Sequence, residues 1–169
     1  MNRVAVNAEE VPLPAWSGAL GGFALKVLDE ISRDNWDLSV LLCGDETIKA
    51  LNTKYRGKNE TTDVLSFELG AEETDGEGNT RCLPGDIIIS LDTLRENARY
   101  FAISEDEELR RLLIHGILHL DGMDHQSNDD AEPMIALQEN ILAKFEKEHI
   151  LPPAGPTARP TAGPQGVNR

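Results

Sequence analysis

From Leu109 to Leu120 the chain reads LRRLLIHGILHL, and beyond Arg111 only His115, Gly116 and His119 interrupt the apolar run. Such a composition is expected of a helix buried on most of its sides, and the S-x-x-E pair Ser104 and Glu107 just upstream supplies a capping-box start. At i and i+4, His115 and His119 share one face, so their imidazoles meet. If the helix continued, His125 would point well away from that pair. Gly122, however, is the residue type that ends a helix by adopting positive φ, so the chain can turn there and bring His125 back. A single histidine in such a setting is most simply a core residue hydrogen-bonded to its neighbours. Three of the chain's four histidines at H-x3-H-x5-H are hard to explain by packing. Neutral imidazoles suit Zn²⁺, and three protein ligands with the fourth position left to water is the arrangement of a catalytic centre. The expectation is one Zn²⁺ per chain on His115, His119 and His125, held on a buried helix and the turn after it.

The spacing H-x-x-x-H-x-x-G-x-x-H is similar to that of the metzincin proteases, but Gly116 stands where their general-base glutamate follows the first histidine. Glycine cannot take a proton from water, which argues against peptide hydrolysis. Asp121 and Asp124 are nearby carboxylates, expected to support a ligand histidine or to form the turn beside Gly122.

Around this segment, apolar spacing predicts a helix over Pro14–Arg33, weakened by Gly18, Gly21 and Gly22. WDLSVLLCG (Trp36–Gly44) reads as a strand, and DETIKALNTKY (Asp45–Tyr55) as a helix with Asp45 as N-cap. DVLSFEL and GDIIISL read as two further strands, the second apolar enough for a central position. GAEETDGEGNTRC between them is polar and glycine-rich and is expected to be a mobile loop. A short helix near Thr93–Tyr100 and a last helix over Asp129–Glu148, with Pro133 in its first turn, complete the reading. The expected fold is α+β: a small mixed β-sheet flanked by helices. One domain over residues 1–150 follows, with 151–169 a disordered tail rich in Pro, Gly and Ala.

At 169 residues and 40% hydrophobic, the chain can bury the core of one domain. No apolar stretch is long enough to span a bilayer and no basic segment leads into an apolar run at the N-terminus, so a soluble cytoplasmic protein is expected. Cys43 and Cys82 lack C-x-x-C spacing and are expected to be ordinary reduced thiols. Sixteen basic residues against 30 acidic leave a net charge of −14, which opposes indiscriminate nucleic-acid binding and docking to anionic membrane. A local basic patch is still open. Lys54, Arg56 and Lys58, with Tyr55 available for stacking, could form one, or could equally be a solvated helix end.

HGILHLDGMDH, taken with YRGKNETTDVLSFEL and LPGDIIIS, resembles the YbeY family of single-strand-specific endoribonucleases over roughly Trp36 to Glu148. The resemblance implies a metal on His115, His119 and His125, with His115 also counted among the catalytic residues, and a catalytic or RNA-binding arginine at Arg56. It implies action on single-stranded RNA, in 16S rRNA 3′-end maturation and ribosome quality control, with the small ribosomal subunit and its proteins as partners and no role on DNA. Met123 stands where that family often has an aromatic residue and Glu68 where proline is common. Lys54 and Lys58 are further candidate RNA contacts. Asp63 and Asp86, at strand ends, are candidate supports of the site or turn residues. Two other readings use the same histidines: a zinc hydrolase of another substrate, and a ribosome-assembly factor with a structural zinc and no nuclease activity.

Overall fold

The computed structural model describes residues 1–153. In chain order these form β1 (Arg3–Ala8), α1 (Ser17–Glu30), β2 (Asp37–Cys43), α2 (Asp45–Arg56), β3 (Val64–Thr74), β4 (Thr80–Ser90), α3 (Leu91–Phe101), α4 (Glu105–Leu120) and α5 (Pro133–Lys144). The strands make one mixed sheet in the order β1-β2-β4-β3, with β1, β2 and β4 parallel and β3 antiparallel to β4. This is the expected α+β architecture.

β4 owes its inner place to the run Ile87, Ile88 and Ile89, all buried. Because strand side chains alternate, Ile87 and Ile89 join the main core with α1 and α4, while Ile88 faces a smaller cluster with Ile48 of α2 and Leu65 of β3. Helix α4 lies in the main core, with Leu109, Leu112, Leu113, Ile114, Ile117 and Leu118 fully buried. One residue decides how close it sits. A Cβ added at Gly116 would lie 2.8 Å from Ile87 Cγ2 and 3.0 Å from Ile87 Cδ1, so the helix backbone approaches the sheet at the only residue type without a side chain to obstruct it.

Several elements differ from the sequence-based expectation. β1 was not expected: RVAVNA is a half-exposed edge strand whose pairing to β2 comes from tertiary contact. The expected mobile loop is instead an extended hairpin, since β3 runs to Thr74 and β4 begins at Thr80. Asp75 organises its turn by accepting from the backbone N–H groups of Glu77 and Asn79, both at 2.9 Å. Such a hairpin, mostly exposed on both faces, leaves no hydrophobic alternation to read. The N-cap of α2 is Gly44 rather than Asp45, and the first N–H groups of the helix donate to carboxylates from elsewhere, Asp45 N to Asp92 and Thr47 N to Glu10. Helix α5 begins at Pro133, at its first helical position, and ends at Lys144, shorter than Asp129–Glu148. The expected tail lies, from residue 154 onward, outside the described residues.

Candidate metal centre and its cleft

Ser104 caps α4, its hydroxyl accepting from Glu107 N at 3.0 Å, while the Glu107 carboxylate accepts from Arg111 instead of closing the box. At the other end Asp121 is the C-cap and Gly122 takes φ 92°, with Gly122 N donating to His119 O and Met123 N to Leu118 O. This is the expected glycine stop, and it returns His125 to the helix. The three imidazoles lie with ring centroids 4.6, 4.9 and 5.3 Å apart. One nitrogen from each falls within 4.8 Å of the others, and among the described residues this is the one group of His, Cys, Asp or Glu side chains so placed.

Each ring is turned by a hydrogen bond at Nδ1. His115 donates to Gln138 Oε1 (2.6 Å), His119 to Met123 O (3.1 Å) and His125 to Ser127 O (2.9 Å). Oxygen acceptors of this kind require the proton on Nδ1, so in the neutral rings every Nε2 carries a lone pair. Nε2 of His115 and His119 are nonetheless only 3.1 Å apart. Two lone pairs at that distance repel unless a cation or an extra proton lies between them. Nitrogens about 2.0–2.1 Å from a tetrahedral zinc are themselves about 3.3 Å apart. The residues therefore fit a metal ion. Burial holds the His119 pKa below its ordinary value, with the neighbouring His125 adding to the effect, and this favours the neutral, ligating form.

The cluster borders a cleft of ≈ 580 Å³ lined by Arg56, Ser66, Phe67, Glu68, His119, Gly122, Met123 and Asp124. Arg56, the last residue of α2, reaches it by donating from Nη2 to Ser66 O of β3 at 3.1 Å, with its guanidinium carbon 5.8 Å from the centre of the Phe67 ring. Arg56 and His119, 63 positions apart in sequence (119 − 56), are thus brought to one cleft by the fold. Lys54 and Lys58 do not line this cleft. Lys54 borders a shallow groove on the outer side of α2 with Glu46 and Lys49, its ammonium 5.0 Å from the Tyr55 ring, and Lys58 follows in the turn after the helix. Tyr55 packs on Phe67 at 5.2 Å and is 59% exposed, facing a second groove of ≈ 720 Å³ that Glu68, Leu69 and Asp86 also line.

The carboxylates flanking the histidines make their hydrogen bonds to groups other than the rings, though the Asp124 charge still favours the protonated form of nearby His119. Asp121 accepts from Arg33 Nε in the segment after α1, and Asp124 accepts from His125 N at 2.8 Å. Asp63, fully buried, accepts from Val64 N and from Asn97 Nδ2, fixing β3 to α3 away from the cleft. Met123 meets His119 through its carbonyl, so its unusual side chain leaves that contact intact. Sequence reasoning missed Gln138. Its one signal is a polar residue on the buried face of α5, among Met134, Ile135, Ile141 and Leu142.

The family model described as Endoribonuclease YbeY matches residues 16–146. The Endoribonuclease YbeY of Treponema pallidum (strain Nichols) is 48% identical over 144 residues, spanning 85% of this chain and 90% of that protein. That of Sulfurihydrogenibium sp. is 38% identical over 148 residues, spanning 87% and 95%. A Thermotoga maritima protein of known solution structure is similar with a TM-score of 0.58 at 29% identity, over 87% of this chain and 91% of that one.

Proposed function

Because the chain belongs to the YbeY endoribonuclease family, we propose that it is a zinc-dependent hydrolase that cuts single-stranded RNA internally. Its place would be in the cytoplasm, in 16S rRNA 3′-end maturation and ribosome quality control, with the small ribosomal subunit and its proteins as partners. The observation that carries this reading is the gathering of one ring nitrogen from each of His115, His119 and His125 within 4.8 Å of one another, beside the cleft that holds Arg56. His115, His119 and His125 would hold one zinc ion. When bound, zinc supplies Lewis acidity at a phosphoryl oxygen and lowers the pKa of water. The chain's own part is to bind and orient the phosphodiester. Arg56 has one N–H on Ser66 O and further donors in the same planar fork for a non-bridging oxygen. Among the described residues, Glu68 and Asp124 are the carboxylates that line the cleft. Lys54 and Lys58 would meet only RNA that leaves the cleft around the end of α2.

The test is incubation of the pure protein with 3′-extended 16S rRNA and with unstructured and duplex RNAs, with chelator and with zinc restored. Internal cleavage of the unpaired RNAs, lost with chelator and regained with zinc, is expected. A zinc-loaded protein that cuts none of them would favour the assembly-factor reading, which the net charge of −14 supports through attraction to basic ribosomal proteins.

A further inference from the structure

His119 and His125 are oriented by carbonyls of the turn that carries them, Met123 and Ser127, two to four residues away in sequence. His115 is different. Its Nδ1 partner is a side chain 23 residues on, from another helix, and that side chain is 2% exposed in a face otherwise built of Met134, Ile135 and Ile141. Packing there would be served as well by leucine or methionine, and a buried amide adds a desolvation cost unless its polar atoms are bonded. The next residue, Glu139, takes both of its oxygens to Arg111 Nε at 3.1 and 3.2 Å, one helical turn before His115 on α4. The ion pair thus sets α5 in register beside the contact.

We propose that Gln138 is a positioning residue for the metal centre: by accepting from Nδ1 it fixes His115 in the tautomer whose Nε2 faces His119, so that docking of α5 on α4 completes the ligand set. The inference rests on the metal reading above. Without the acceptor, a neutral His115 can place its proton on Nε2, the ligating atom, and that proton must leave before a metal binds.

The experiment compares the full-length parent with Gln138→Met, which keeps the volume without the acceptor, and Gln138→Glu, which keeps an acceptor. Zinc affinity is measured by chelator competition, and the His115 tautomer of the metal-free proteins by ¹⁵N NMR. Gln138→Met should bind zinc about 10- to 100-fold more weakly and show Nε2–H character at His115, while Gln138→Glu should keep the Nδ1–H tautomer and near-parental or tighter binding. Parental affinity in a folded Gln138→Met would overturn the proposal. So would an Nε2–H tautomer at His115 in the metal-free parent, a measurement that stands even if the methionine variant does not fold. A parent that binds no zinc at all would instead overturn the metal reading on which the proposal depends.

Discussion

Arg56 and His119 line one cleft yet belong to different elements, and their roles should come apart on mutation. Arg56 makes its hydrogen bond to Ser66 O and its contact with Phe67 at the surface, so Arg56→Ala should leave zinc content unchanged. If the guanidinium acts chiefly on the transition state, single-turnover cleavage should slow by about a hundredfold. Arg56→Lys should recover little, since an ammonium lacks the planar fork. Full zinc with parental cleavage in Arg56→Ala would remove the phosphate role. At this scale the i, i+4 histidines and the glycine stop were legible as residue types at meaningful positions, whereas Arg56 was singled out only by the family resemblance. Gln138 was not legible, because its role lies in a contact between two helices, with a residue 23 positions away in sequence.

Among the elements, α4 carries His115 and His119, and Gly116 between them lies against the sheet. The position faces Ile87 of β4, with a Cβ 2.8 Å from the Ile87 side chain, so a glutamate there would enter the core rather than the cleft. Gly116→Glu is therefore expected to destabilise the fold by several kcal/mol through overpacking and a buried carboxylate, without creating proteolysis. Gly116→Ala should cost less, about 1–3 kcal/mol. Equilibrium denaturation of both variants, with a peptidase assay on Gly116→Glu, checks this; a stable variant that cleaves peptides would show that the position opens onto the metal. The helices and the apolar strands were readable because each buries apolar side chains, on one face or, in β4 and α4, on most sides. β1 and the outer half of the β3–β4 hairpin were not, because their order comes from backbone pairing while most of their side chains meet water.

For the whole molecule the net charge of −14 governs how RNA arrives. Among the described residues the cleft presents Arg56 as its one Lys or Arg side chain, beside Glu68 and Asp124, and both lysines lie off it. Binding of single-stranded RNA should therefore show a shallow salt dependence, with log K against log[salt] near about −0.7 for one neutralised phosphate, eased further as salt screens the repulsion from the acidic body. A slope several times steeper, measured by fluorescence anisotropy, would mean that the lysines or other cations share the contact. By itself the sequence determined the α+β class, the buried helix that bears His115 and His119, and the turn that returns His125. All three follow from local periodicity and from what one glycine permits, and both are properties of neighbouring residues. Tertiary structure alone decided that α2 delivers Arg56 to the histidines, that Gly116 faces the sheet and that Gln138 orients His115. These depend on which surfaces meet once the core has closed, and the distances they set lie between residues that no local pattern connects.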